Sequence, residues 1–263
     1  MSYPYQIHTF EEYLSEYQKS IEQPENFWTG VAEHFTWKKK WDKVLEWNFK
    51  EPRVSWFQGA KMNITENCLD RHLADKGDQP AIIWEPNDPN EKNRILSFKE
   101  LHEEVCRFVQ VLKNNSVKKG DRICIYMPMV PEAAIAVLAC ARMGAIHSVV
   151  FGGYSAQSIA DRIEDAQCSL VITADGGHRG GKDILLKDTI DEALQKTGHA
   201  KKVIVLKRLG NRINMKKGRD IWWHDEIKKV EAHGVKDKAA ESMNAEDILF
   251  ILYTSGSTGK PKA

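Results

Sequence analysis

The sequence predicts an α/β fold: a doubly wound, mostly parallel sheet with flanking helices, preceded by an aromatic-rich segment that wraps onto it. Two observations carry this. Between Ser97 and Leu206 short apolar runs alternate with helical patterns, the order that crossover connections turn into parallel strands. One of those patterns, beginning at Pro131, is apolar almost all round, as a helix covered by its neighbours must be.

The elements follow in order. Residues 1–66 carry Phe27, Trp28, Phe35, Trp37, Trp41, Trp47, Phe49, Trp56 and Phe57 among many charges. Aromatics interleaved with lysine can stack nucleic-acid bases, but acidic residues are mixed in equally here, so rings docked on a larger body are the better reading. Residues 85–91, EPNDPNE, read as a surface turn. Ser97 with Glu100 forms a capping-box pattern, and Phe98, Leu101, Val105, Phe108, Val109 and Leu112 then share one helical face. Gly120-Asp121 leads into a strand over Arg122 to Met127, and Pro131 opens the apolar helix, which runs to Met143. Ala145 to Phe151 is the next strand, Gly152-Gly153 a turn, and Ser155 the cap of a helix carrying Ile159 and Ile163. Ser169 to Thr173 and Lys202 to Leu206 are further strands, with a helix over Thr189 to Lys196 between them. Leu249 to Tyr253 is a last short buried strand. The expected division is a segment of residues 1–66 and a body of residues 67–263.

Composition narrows the function. Lysine plus arginine number 38 and aspartate plus glutamate 37, so no field of one sign draws nucleic acid or an anionic membrane. The longest apolar run, Ala133 to Ala141, is too short to span a bilayer, and residues 1–20 hold no secretory h-region. Cys68, Cys106, Cys124, Cys140 and Cys168 are scattered, without paired spacing, as reduced and buried thiols of a cytoplasmic protein would be. Nothing in the histidine or cysteine spacing indicates a metal held by protein ligands.

Two glycine-rich stretches carry the chemistry. The first is YTSGSTGKPK, Tyr253 to Lys262. Gly256 and Gly259 let a ligand approach the backbone, and Thr254, Ser255, Ser257 and Thr258 offer hydroxyls. Lys260 adds a compact positive charge, so the stretch suits a polyphosphate, against the alternative of a solvated serine-glycine turn. It is not a Walker A loop, which needs four residues between its glycines and a hydroxyl after the lysine; here two residues intervene and Pro261 follows Lys260. The second stretch is GGHRGGK, Gly176 to Lys182, after the third strand of the body. Ligands sit beyond the carboxyl ends of strands in such sheets, which also favours Phe151-Gly152-Gly153. Neither glycine cluster has dinucleotide-fingerprint spacing. From its letters alone, GGHRGGK is equally a solvated basic loop or a ligand site.

The ten residues from Tyr253 resemble the phosphate loop of the adenylate-forming enzymes: acyl-CoA synthetases, luciferases and peptide-synthetase adenylation domains. WFQGAKMNITENCLDRH (56–72), YMPMVPE (126–132) and GAIHSVVFGGYS (144–155) are similar to acetyl-CoA synthetases, the AMP-forming acetate–CoA ligases, and the likeness covers residues 10–263. Propionyl- and other short-chain acyl-CoA synthetases share these features. The resemblance implies that Thr254, Ser255, Gly256, Ser257, Thr258, Gly259 and Lys260 hold the β- and γ-phosphates of ATP, with Mg2+ bridging those phosphates. It further implies that Phe151, Gly152, Gly153, Arg179, Gly180, Gly181, Lys182 and Ile184 line the coenzyme A site. Lys182 stands where relatives often have arginine, replacing a fork by a point charge, and Ala263 stands where many have glycine.

The implied chemistry has two steps. Acetate attacks the α-phosphorus of ATP, giving acetyl-adenylate and pyrophosphate, and the thiol of coenzyme A then displaces AMP. The protein's part is to position reactants and neutralise charge. The family's acyl pocket, magnesium carboxylate and adenylation lysine lie beyond the loop. The expectation is therefore an N-terminal portion with no catalytic residue of its own and no turnover alone. A non-catalytic nucleotide- or coenzyme A-binding module is the alternative of another class.

Overall fold

The computed structural model describes residues 6–254. The chain divides into two compact units, Met1–Arg71 with Ser242–Asp247, and His72–Glu241 with Ile248–Ala263.

The second unit holds a six-stranded sheet: β1 (Arg122–Tyr126), β2 (Ile146–Val149), β3 (Leu170–Ala174), β4 (Lys202–Leu206), β5 (Asp220–Trp222) and β6 (Phe250–Ile251). Its order is β5-β4-β3-β1-β2-β6 and every pairing is parallel. Among the described residues five longer helices accompany it, besides the short Leu73–Lys76: α1 (Phe98–Asn114), α2 (Pro131–Met143), α3 (Ala156–Asp165), α4 (Leu186–Ala193) and α5 (Trp223–His233). The α1 helix packs on α2 and α5, whereas α3 packs on α4. Ser97 caps α1 as its spacing predicts: its Oγ accepts from the Glu100 amide at 3.2 Å and its own amide donates to Glu100 Oε2 at 2.8 Å. Ser155 caps α3, accepting the Ser158 amide at 3.3 Å.

The alternation of β1 decides which face covers what. Cys124 and Tyr126 join a cluster with Ile159 and Ile163 of α3 and Leu186 and Ile190 of α4, all buried. Apolar burial of this kind contributes roughly 25 cal/mol per Å2, so the continuous cluster anchors the sheet.

Several bounds differ from the sequence expectation. The last strand is only Phe250–Ile251, and α4 starts three residues earlier than predicted. The β5 strand and α5 were not predicted at all: three residues carry no alternation to read, and only Trp223, Glu226 and Val230 of α5 are buried. The turn at residues 85–91 belongs to a connection between two antiparallel strands, Pro80–Trp84 and Arg94–Ser97. Cys106, Cys124, Cys140 and Cys168 are buried, and burial pushes the Cys140 and Cys168 thiols up to about 12. Cys68 is instead exposed, because it ends the short Ile64–Cys68 helix on its outer side.

In the first unit an antiparallel pair, Lys43–Asn48 and Arg53–Gln58, accompanies two helices, Phe10–Glu22 and Pro24–Ala32. Its aromatics engage one another: Trp37 meets Trp41 edge-on at 5.3 Å and Phe57 at 5.4 Å, and Trp28 meets Trp56 at 5.9 Å. Among the described residues no helix is long and apolar enough to cross a membrane.

Buried charge fastens the sheet's outer edge. Lys187, wholly buried, donates to Asp191 at 2.8 Å and to the Asn214 carbonyl at 2.9 Å, and pairs with Asp220 of β5 at 2.9 Å. Burial alone would raise the Asp220 carboxyl, but bonds from Arg219, the Lys216 amide and Lys187 outweigh it and hold it below the ordinary value. On β2, His147 is buried with its Nδ1 unpartnered, and burial lowers its pKa from 6.5 to about 4. The unfolded chain then binds a proton between those values that the fold refuses, so stability falls as pH drops through that window. His147→Phe should remove this loss: between pH 7 and pH 5 the unsubstituted chain is expected to lose about 2 kcal/mol more than the variant in urea unfolding.

Candidate functional site

A cleft of about 420 Å3 opens at the carboxyl ends of β1, β2 and β3. Its place follows from topology. The chain leaves β1 towards β2 on one side and leaves β3 towards β4 on the other, and β1 and β3 are neighbours. Two connections diverging from adjacent strands leave a crevice between them, the position where open α/β sheets bind ligands. The floor is apolar, from Ile125, Met127, Val130 and Val150, with Ala133 and Val137 of α2 on one side.

The hairpin Gly177–Arg179 with Lys182–Ile184 forms one wall. What the letters leave between a loose basic loop and a ligand site is thus an ordered hairpin turning at Gly180-Gly181. Gly177 fits because a Cβ there would lie 2.6 Å from Pro128 Cβ, so the hairpin rests directly on the connection after β1. The register pairs Arg179 with Lys182 and His178 with Asp183. Directly opposed residues share a face, so two cations stand side by side. His178 Nδ1 and Asp183 Oδ1 are hydrogen-bonded at 2.7 Å.

The second wall is Phe151-Gly152-Gly153. The Phe151 ring is 57% exposed and lies beneath the Arg179 guanidinium, 5.3 Å away. Gly153 has φ +131, and a Cβ on it would come within 2.7 Å of Arg179 Nη1. Its amide donates to the Tyr126 hydroxyl at 3.2 Å, and that hydroxyl donates to the Tyr154 carbonyl at 3.3 Å. Burial raises the Tyr126 pKa, keeping this hydroxyl protonated as a donor.

Of the predicted coenzyme residues, Phe151, Gly152, Arg179, Gly180 and Ile184 line the cleft. Gly153 lies against Arg179, while Gly181 and Lys182 are exposed in the hairpin turn and beside it. Thr254 is exposed. Ser255, Gly256, Ser257, Thr258, Gly259 and Lys260 lie outside the described residues. Among the described residues no group of histidine, cysteine and carboxylate side chains is placed to hold a metal.

The letters missed a third wall and its anchor. Trp84 donates from Nε1 to the Met129 carbonyl at 2.8 Å, and Arg208 stacks over its ring at 5.2 Å while pairing with Glu91 at 2.7 Å. Asn87, in the predicted surface turn, donates to the Gly180 carbonyl at 2.8 Å. Asp175 is the anchor. Fully buried, it accepts from the amides of Gly176 at 2.8 Å, Arg208 at 2.7 Å and Leu209 at 3.0 Å on Oδ1, and Gly210 at 2.7 Å on Oδ2. An aspartate directly ahead of Gly176-Gly177 was the available signal.

A doubly wound sheet with a basic, aromatic-walled cleft at its switch point defines a class of small-molecule-binding α/β protein. The comparisons are narrower. Residues 69–263 match the AMP-binding enzyme family and residues 13–68 the acetyl-coenzyme A synthetase N-terminus. The chain belongs to the AMP-binding enzyme family. It is 54% identical over 251 residues to an acetyl-coenzyme A synthetase of Bdellovibrio bacteriovorus, covering 95% of this chain and 38% of that one. To the acetyl-coenzyme A synthetase of Alkalilimnicola ehrlichii it is 53% identical, with 97% and 39% covered. The chain thus spans under two-fifths of the length of these curated relatives. Its fold matches acetoacetyl-CoA synthetase from Streptomyces lividans with a TM-score of 0.82 at 26% identity, over 93% of this chain and 36% of that one.

Four backbone donors on one buried carboxylate make Asp175 expensive to remove. Asp175→Ala is expected to cost on the order of 3 kcal/mol in urea unfolding. Amide exchange at residues 208–210 should quicken in the same variant, and unchanged exchange there would remove Asp175 as the anchor.

Proposed function

We propose that this chain supplies the coenzyme A wall and the phosphate loop of an AMP-forming acetate–CoA ligase, which makes acetyl-CoA from acetate, ATP and coenzyme A through acetyl-adenylate. Residues 1–66 are its acetyl-CoA synthetase-type N-terminal segment and residues 67–263 the front part of its AMP-binding domain. The observation that carries the reading is the Arg179 guanidinium over the Phe151 ring at the cleft, with Lys182 directly opposite Arg179 on the hairpin. Like charges directly opposite on a hairpin destabilise it. An anion between them reverses the sign, and a flat ring beside them suits a nucleotide base. Coenzyme A offers both a base and phosphates, with a long uncharged arm that an apolar cleft floor accepts.

Each group has its task. Arg179 forks onto phosphate while Phe151 offers its face to the base. Gly152 and Gly153 bring the backbone close, Gly180 and Gly181 turn the hairpin, and Lys182 adds a point charge. Ile184 closes the apolar side. Thr254, Ser255, Gly256, Ser257, Thr258, Gly259 and Lys260 take the β- and γ-phosphates of ATP, which arrives with Mg2+. The acetyl-coenzyme A synthetases among the relatives favour acetate over propionate as the acid. The setting is cytoplasmic, with small molecules rather than nucleic acid or membrane as partners.

Calorimetric titration of the purified chain with coenzyme A tests the wall. Arg179→Ala is expected to weaken binding about 10- to 100-fold, the loss of one charge-assisted contact. Equal binding by the variant would refute the assignment. For the loop, Lys260→Ala in protein of the relatives' full length is expected to slow acetate-dependent ATP–pyrophosphate exchange at least tenfold. Exchange at the unsubstituted rate would refute that role.

A further inference from the structure

Arg162 is a buried cation that the proposed function leaves without a task. It sits in α3, 7% exposed, and donates from Nη1 to the Ser158 carbonyl at 2.7 Å and to the Ser158 hydroxyl. Its guanidinium lies over two rings, Tyr154 at 4.7 Å and Tyr253 at 5.1 Å. Burying a guanidinium is costly unless its charge is met, and two π faces with two oxygens meet it.

Both rings lead somewhere. Tyr253 lies two residues past the end of β6 and immediately precedes Thr254, where the proposed phosphate loop begins. Its hydroxyl donates to the Asp165 carboxylate at 2.7 Å, fixing the ring against the end of α3. Tyr154 meets Phe151 edge-on at 6.4 Å, and Phe151 carries the Arg179 guanidinium at 5.3 Å. The result is one continuous stack, Tyr253–Arg162–Tyr154–Phe151–Arg179. It joins the exit of β6 to the wall proposed for coenzyme A, alongside the backbone ladder that pairs Phe250 with His147 and Ile251 with Ser148; Tyr154 and Tyr253 themselves lie beyond the ends of those strands.

We propose that Arg162 is a positioning residue that ties occupancy of the Phe151–Arg179 wall to the order of the segment entering the phosphate loop. The inference rests on the proposed coenzyme A site. A ligand clamped on Phe151 and Arg179 restricts the rings beneath, and ordering a shared element at one end lowers its freedom at the other. Planarity matters, because a guanidinium can lay flat faces on the rings while its edge keeps donating to Ser158, whereas a compact ammonium has no flat face to stack.

Hydrogen exchange with and without saturating coenzyme A tests this, on the chain as it stands. In the unsubstituted chain exchange at residues 250–254 should slow at least threefold when coenzyme A binds. Arg162→Met should still bind coenzyme A, by titration, within about threefold of the parent affinity, but lose the slowing. Arg162→Lys keeps charge and reach without the planar faces, and should lose it too; it decides the matter if Arg162→Met does not fold. A merely structural arginine would leave the response intact wherever the variant binds. Slowing that persists in both variants, or is absent from the parent despite binding, overturns the inference and leaves the coenzyme A site standing. Failure of the parent chain to bind coenzyme A overturns the site itself, and this inference with it.

Discussion

The cleft exists because one buried carboxylate can satisfy four backbone amides at once. Asp175 stands at the end of β3, where the sheet's hydrogen-bond ladder stops and the chain must turn outward. Two segments converge there, the start of the glycine hairpin and the turn after β4, and both bring N–H groups into a place without water. An unpaired buried amide costs about 1–3 kcal/mol, so several would unravel the turns. Collected on one carboxyl group, all four are satisfied together. The turns are held apart at a defined spacing, and the gap between them and the connection after β1 is the cleft.

The same economy appears at the other end of β4. Lys187 and Asp220 are buried charges that carry no site; they fasten a three-residue edge strand too short to hold itself by pairing. Removing one partner of such a pair leaves an uncompensated buried charge, which makes the arrangement specific even where its net contribution is small. The apolar cluster beneath α3 and α4 thus supplies bulk stabilisation, while two islands of buried charge decide where the chain leaves the sheet.

How much of this could be read in advance depended on the range of the interaction. Local signals were legible. The Ser97–Glu100 box, the Ser155 cap, Pro131 at the head of α2 and the apolar runs of β1 to β4 each lie within a few residues, and each is found where its letters place it. Strand order, which puts β1 beside both β2 and β3, depends on pairing across dozens of residues. The strand β5 is legible only through Lys187, 33 residues upstream in the chain. Asn87 read as part of a surface turn and Trp84 carried no signal, because their partners, Gly180 and Met129, are 93 and 45 residues away. The glycines of GGHRGGK were visible but not their reason: Gly177 is required by Pro128, which no local pattern names. For the phosphate loop the letters themselves, with the family they match, remain the whole argument.

The hairpin makes the physical case for a ligand most directly. A folded protein that gains nothing from Arg179 and Lys182 side by side would separate them or set a carboxylate between. It does so at the next pair of the hairpin, where Asp183 stands opposite His178 and their side chains hydrogen-bond at 2.7 Å. Between Arg179 and Lys182 the repulsion is left standing, and Arg179 lies over the Phe151 ring, whose π face attracts a cation without cancelling its charge. The Asn87 contact to Gly180 and the Asp175 anchor hold the turn in place despite that repulsion. Retained repulsion on a rigid support is what an anion would relieve, and the flat exposed ring beside Arg179 suits the proposed anion, one that carries a base.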